Sequence, residues 1–294
     1  MKLAIILLSF AAFVVADLSD YNTAYDYLEK IGIPAAKRIQ AQEEEFLKNP
    51  ISRIFNGSPA SLGQFNYQAG LVIELSGTTN RAVCGGVLVR RNRVLTAAHC
   101  WFDGRNQATR FTVVLGSVML FSGGTRIQTR DVRMHPNWQP SLIRNDIAVI
   151  RLSSSVNLSS NIGLIALPSG SLLNQNFAGE VATASGFGTT GNNAPITNNQ
   201  SLRFGRMTVI TNAQCRANFP LIIQSSNICT STARQSSTCG GDSGGPLAVQ
   251  RNGAPLLIGL TSFGPGPALG GCEAGLPAAF VRVTSFMNFI NQNL

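Results

Sequence analysis

From Ile54 onward the chain is written in short bursts. Apolar and β-branched residues run for a few positions and are then cut by Gly, Asn or Ser. Gln68 to Leu75, Val83 to Val89, Phe111 to Leu115, Ile127 to Arg133, Val181 to Ala184, Leu202 to Ile210 and Leu256 to Ser262 are such runs. Strands separated by turn signals must bury one face against one another, which predicts β-sandwiches or β-barrels. Only Thr284 to Leu294 reads clearly as helix: Thr284 or Ser285 can cap it, and Phe286, Phe289 and Ile290 make one apolar face. A hydrophobic content of 44% supports a substantial core.

The residues before Ile54 differ in character. Lys2, the apolar run Ala4 to Val15 and the small Ala16 read as a secretory signal over residues 1–16. That run is too short to span a bilayer. Asp17 to Lys48 is mostly charged or polar, with short helices expected over Tyr21 to Lys30 and Ala36 to Leu47, and Glu43-Glu44-Glu45 as a solvated charge run. Asn49-Pro50 stops any helix, and Ile51-Ser52-Arg53 reads as an accessible linker. The six cysteines all lie between Cys84 and Cys272. In a secreted chain they imply three disulfides, with 15 possible connectivities. Residues 17–53 are therefore not held to the rest by a disulfide.

Charge is divided the same way. Of 23 Lys and Arg, six precede Ile54; the 17 that follow are all Arg, and no Lys occurs after Lys48. Lys loses its charge near pH ~10 whereas Arg keeps it. A mature region with only Arg would hold its charge in strongly alkaline fluid. The arginines are scattered rather than clustered, which argues against a nucleic-acid surface.

Cys239-Gly240-Gly241-Asp242-Ser243-Gly244-Gly245-Pro246 can be neither helix nor ordinary strand. It places a serine among glycines whose backbone N–H groups are unencumbered, the arrangement that acyl transfer needs. Gly241 to Gly245 fits the G-x-S-x-G pattern. The strand-like Pro246-Leu247-Ala248-Val249 that follows is not the helix of a nucleophile elbow, and no His occurs after His135. A base for Ser243 must come from earlier in the chain. There are two histidines: His135 sits in a turn-like Met-His-Pro-Asn, expected at the surface, and His99 in Leu95-Thr96-Ala97-Ala98-His99-Cys100. Asp146 heads an apolar strand in Asn145-Asp146-Ile147-Ala148-Val149, where a carboxylate is costly unless paired. No second His or Cys pair stands at metal-ligand spacing from His99.

The order His99, Asp146, Ser243, with TAAHC, NDIAV and GDSGGP around them, resembles the trypsin/chymotrypsin family of serine endopeptidases, as does Ile54-Phe55-Asn56-Gly57 after an Arg. The resemblance implies two packed six-stranded antiparallel β-barrels with a C-terminal helix, about 54–165 and 166–294, after a signal at 1–16 and an activation propeptide at 17–53. It implies His99, Asp146 and Ser243 as the catalytic triad, and the N–H groups of Gly241 and Ser243 as the oxyanion hole. Cutting after Arg53 would free the Ile54 ammonium to pair with Asp242. Ser237 would lie at the base of the specificity pocket, Gly264 and Ala278 on its walls, and Ser262, Phe263 and Gly264 along the substrate backbone. A Ser at the base implies large apolar residues before the cut, with an elastase-like preference as the alternative. Such a pocket would not accept Arg53, so activation is expected from a trypsin-like protease. The implied disulfides are Cys84–Cys100, Cys215–Cys229 and Cys239–Cys272. No cofactor or metal is implied, since Ser117 to Gln128 lacks carboxylates where the family's calcium loop would lie. Expected partners are protein and peptide substrates and protein protease inhibitors, with no nucleic acid or membrane, for a monomeric, secreted enzyme of the gut lumen resembling insect midgut digestive chymotrypsins. A non-catalytic homologue that only binds partners is the other class; such chains usually lose a triad member, and this one keeps all three. Asn56, Asn157 and Asn199 stand in N-x-S sequons.

Overall fold

The computed structural model of the chain describes residues 22–48, 58–192, 202–232 and 237–294. The strands are β1 (Ser58–Pro59), β2 (Gln68–Leu75), β3 (Arg81–Arg90), β4 (Arg93–Thr96), β5 (Ala108–Leu115), β6 (Thr125–Thr129), β7 (Val132–Met134), β8 (Ala148–Arg151), β9 (Val181–Gly186), β10 (Arg203–Ile210), β11 (Asn227–Ser231), β12 (Pro246–Arg251), β13 (Ala254–Phe263) and β14 (Ala278–Arg282). They form two curled antiparallel sheets. The first runs β6-β5-β2-β3-β4-β8-β7 and stays open. The second runs β1-β10-β11-β14-β13-β12-β9, and β9 also pairs with β10, which closes six strands into a barrel. The run Ile127 to Arg133 is therefore not one strand. Thr129 Oγ1 donates to the Arg151 carbonyl at 2.6 Å and accepts from the Asp131 N–H at 3.1 Å, so the chain turns there and passes from β5 to β8.

Apolar packing explains how the two sheets stay together. One cluster fills the first sheet, including Leu71, Ile73, Leu88, Phe111 and Leu115. Another fills the second, including Met207, Ile228, Leu247, Ile258 and Phe280. A third lies between them and joins Val87, Leu95 and Ile147 to Leu257, Leu260 and Val281. The C-terminal helix (Met287–Asn293) closes this seam with Ile290, after a 3₁₀ turn at Val283–Phe286. Neither Thr284 nor Ser285 caps it; the N-cap position is Phe286, buried in the seam, so packing rather than a side-chain cap sets where the helix begins. Disulfides join Cys84 to Cys100, Cys215 to Cys229 and Cys239 to Cys272. Among the described residues no helix is long and apolar enough to cross a membrane.

The segment before the sheets departs from the reading of its sequence. In place of two short helices, a π-helical turn at Leu28–Gly32 continues into a single helix, α1, over Ile33–Lys48, the longest in the described chain. Its polar composition conceals one apolar face. Tyr27, Leu28, Ala35, Ala36 and Ile39 are all buried, at spacings that a helix brings to one side, and Ala24 is buried in the turn before it. Glu43 is not solvated. It is 2% exposed, and its carboxylate accepts the backbone N–H groups of Leu120 and Phe121.

Candidate active site

The register of β4 on β8 brings His99 and Asp146 together. Thr96, the last residue of β4, pairs with Ala148, the first of β8. Three residues beyond Thr96 the chain has entered a 3₁₀ turn, Ala98–Cys100, that carries His99, and Asp146 stands just ahead of β8. The Cys84–Cys100 bond ties that turn to β3. Asp146 Oδ2 lies 2.8 Å from His99 Nδ1, and its Oδ1 accepts the His99 backbone N–H at 2.9 Å. Asp146 is 2% exposed and His99 0%. Burial of this carboxylate is compensated by a third bond: the Ser262 hydroxyl, from β13 of the other sheet, donates to Oδ2 at 2.6 Å. With Nδ1–H committed to Asp146, the imidazole presents Nε2 as its basic nitrogen. That atom is buried and has no hydrogen-bond partner among the described residues. Ser262, assigned above to the substrate backbone, thus also orients the acid of the triad. His135, expected at the surface, is half-buried against Phe286 and Phe289 of the seam, far in role from this site.

Ser243 is fixed from both sheets. Its carbonyl accepts the Gly85 N–H of β3 at 2.7 Å, and the next N–H, of Gly244, donates to Thr261 of β13 at 2.7 Å. Gly244 has φ +81°, and a Cβ there would stand 2.6 Å from the Gly85 carbonyl oxygen, so only glycine fits. Ser243 is 7% exposed.

Asp242 points the other way. Its carboxylate accepts the N–H groups of Gly188 at 2.8 Å and Cys239 at 2.9 Å. Gly186 and Gly188 leave room for it; a methyl on either would collide with the carboxylate. The residue keeps some surface, yet its oxygens are enclosed, and burial pushes its carboxyl up to about 6 despite the two backbone donors. No cation pairs with it among the described residues. It opens on a cavity of about 400 Å³ that Ser237 also lines.

The residues assigned to the specificity pocket fall along two adjoining cavities that share Thr189, Thr238, Cys239 and Cys272 as walls. Gly264 and Phe263 line one of about 450 Å³ beside Ser243, with Asn192. Ser237 lines the other, with Asp242. Ala278 is buried in β14 opposite Thr230. Arg53, Ile54, Asn56 and Asn199 lie outside the described residues, and Asn157 is exposed.

One occupant of the cleft escaped the reading of the sequence. The Tyr27 ring meets the His99 ring edge-on at 4.7 Å. Its hydroxyl accepts the Gly241 N–H at 3.2 Å and donates to the Val83 carbonyl at 3.1 Å. The signal that could have found it is the apolar spacing of residues 27–39 noted above.

Comparison with known proteins agrees with this geometry. The sequence profile of the Trypsin family matches residues 54–290. The chain is 40% identical to a collagenase of Hypoderma lineatum over 82% of its own length and 87% of that protein. It is 38% identical to brachyurin of Leptuca pugilator (81% and 96%) and 34% identical to chymotrypsin-C of Bos taurus (85% and 91%). The solved structure of HL collagenase superposes with a TM-score of 0.73 at 39% identity, covering 82% of this chain and 98% of that one. A buried His–Asp pair and a serine pinned between two curled sheets, on a chain of this likeness, place it in the trypsin family as a chymotrypsin-like serine protease.

Proposed function

We propose that the chain is a secreted zymogen whose mature form cuts peptide bonds after large apolar residues, in digestion at alkaline pH. Ser243 attacks the scissile carbonyl, His99 Nε2 takes its proton and passes it to the leaving amine, and Asp146, steadied by Ser262, holds the imidazole in the required tautomer. The N–H groups of Gly241 and Ser243 receive the oxyanion. A cut after Arg53 frees the Ile54 ammonium to reach Asp242, whose enclosed carboxylate has room beside it and no cationic partner among the described residues.

The observation that carries the specificity is the lining of the cavity beside Ser243. Among the described residues the protease body contributes Thr189, Asn192, Thr238, Phe263, Pro265 and Pro267 among others, and not one charged side chain. A Lys or Arg side chain would be desolvated there without a counter-charge. Ser237 and Ala278, which bring no charge either, complete the wall once Ile54 has moved in. Full retention of charge by an all-Arg mature region supports an alkaline setting. Cutting the precursor once after Arg53 and profiling Phe, Leu, Ala and Arg peptide anilides tests the reading. Preference for Phe and Leu is expected; preference for Arg would overturn it, and preference for Ala would favour the elastase-like alternative. Collagen belongs in the panel, because the Hypoderma relative is named a collagenase.

A further inference from the structure

We propose that residues 22–48 are an active-site inhibitor, with Tyr27 as its plug, and that they keep the protease closed even after the chain has been cut behind them. The inference rests on the catalytic reading of His99 and Ser243 above and adds a second lock to the Ile54–Asp242 switch.

The segment takes up the groups a substrate would use. Gly264, whose N–H lies along the expected substrate strand, donates to Thr23 Oγ1 at 3.2 Å. Gly241, an oxyanion donor, is taken by the Tyr27 hydroxyl, and the Tyr27 ring seals His99 so fully that the histidine is 0% exposed. The atom in the oxyanion site is a phenol oxygen, so no peptide carbonyl is offered for attack. The backbone beyond it is π-helical over Leu28–Gly32 and cannot align as the extended strand that a protease cuts. A substrate's polar contacts are thus satisfied by a chain that presents no scissile bond.

Its hold does not depend on those contacts alone. Asp103, a fully buried carboxylate of the protease body, accepts the Leu28 N–H at 2.8 Å, and its carbonyl accepts the Asp26 N–H at 3.2 Å. Asp26 in turn takes the Asn106 amide at 2.7 Å and the Arg105 guanidinium at 3.3 Å. Asn22 bonds the Pro140 carbonyl at 3.0 Å. On the far side, Ile39 is fully buried among Val83, Leu120 and Phe187, and Glu43 bonds Leu120 and Phe121. Tyr27 and Leu28 belong to the core of the first sheet. An interface with a buried aromatic anchor at its centre and polar bonds at both ends has the composition of a tight complex. No cysteine precedes Cys84, so after a cut at Arg53 only non-covalent contacts retain the segment.

The test uses the full chain, with Pro50→Ile, Ile51→Glu and Ser52→Gly building a site for a protease of four-residue specificity that cuts only after Arg53. Cut protein is passed over gel filtration and assayed on a peptide anilide at falling protein concentration. Expected are co-elution of segment and body, low activity when concentrated, and recovery on dilution. Tyr27→Ala, which substitutes no residue of the protease body, should raise the segment's dissociation constant by ~30-fold or more and give activity at once. Tyr27→Phe keeps the ring and should fall between. A cut wild-type chain that is fully active while the segment still co-elutes overturns the proposal, as does a segment lost at micromolar concentration. If activity is absent even after the segment has been removed, the catalytic reading has failed; retention of the segment, and its loss in Tyr27→Ala, then decides whether it docks in the cleft.

Discussion

Asp242 should contribute a loss of precursor stability as pH rises from about 4 to about 6. Its carboxyl moves from 3.8 in the open chain to about 6 in this fold, because burial among Gly186, Gly188 and Cys239 penalises the charged form. An acid whose folded value is raised binds its proton more tightly folded than unfolded. Stability from this group is therefore complete below pH 4 and is lost as pH climbs to about 6, after which the loss is constant. About two pH units at 1.36 kcal/mol each give about 3 kcal/mol, an upper figure because the residue keeps some contact with solvent. The perturbation is Asp242→Asn, in a Ser243→Ala background that prevents self-digestion. Asparagine removes the charge and leaves one of the two N–H donors without an acceptor, a loss of ~1 kcal/mol that does not vary with pH. Urea unfolding of both chains between pH 4 and 8 isolates the pH-dependent part, since other titrating groups are common to the two. The stability difference should move in favour of Asn by up to about 3 kcal/mol across pH 4–6 and then level off. A difference that stays flat, or grows in favour of Asp, refutes the claim that this carboxylate waits, uncompensated, for a cation. After the cut at Arg53 the sign should reverse, because the Ile54 ammonium would then make the charged form the favoured one.

Two further outcomes follow from the site. Ser262→Ala removes a 2.6 Å bond to Asp146, and loss of a charge-assisted bond should lower kcat/KM of the mature enzyme by ~10-fold while leaving its preference among Phe, Leu and Ala substrates unchanged. Burial pushes the Tyr27 phenol up to about 12, so inhibition by the segment should be constant from pH 7 to about 9 and weaken only above pH ~10, where free tyrosine begins to ionise; a Tyr27→Phe chain, titrated alongside, should lack that step.

The sequence carried the protease body better than the segment in front of it, and the reason is physical. His99, Asp146 and Ser243 are legible because their neighbours are constrained: a turn that must admit glycine, a carboxylate at the mouth of an apolar strand, a serine between unencumbered N–H groups. The strand runs are legible because they are short apolar and β-branched stretches bounded by turn residues, and the longest of them bury nearly every side chain. What joins these pieces is not local. Ser262 reaches Asp146 across 116 residues, and its hydroxyl looks like any other in an apolar strand until the two sheets face each other. The pocket is harder still, because Ser237, Gly264 and Ala278 come from segments far apart in the chain and line adjoining cavities or a buried strand, which spacing alone does not reveal.

The segment 22–48 was misread for a different reason. Its composition is polar, and a solvated helix and a docked one can share a composition. They differ in where the few apolar residues fall, and Tyr27, Leu28, Ala35, Ala36 and Ile39 fall on the side that meets the body. Glu43 shows the same point from the polar side. Its partners are the backbone N–H groups of Leu120 and Phe121, donors that every sequence supplies and none advertises. A carboxylate in a run of three looks solvated because repulsion spreads it into water, but a pair of unsatisfied N–H groups at a sheet's rim outbids water when the apolar face beside them has already brought the helix down. Docking order then follows from magnitude. Burial of the aromatic and aliphatic side chains supplies most of the hold, and the polar bonds at Asp103 and Leu120 fix the register that sets Tyr27 over His99 rather than a turn to either side.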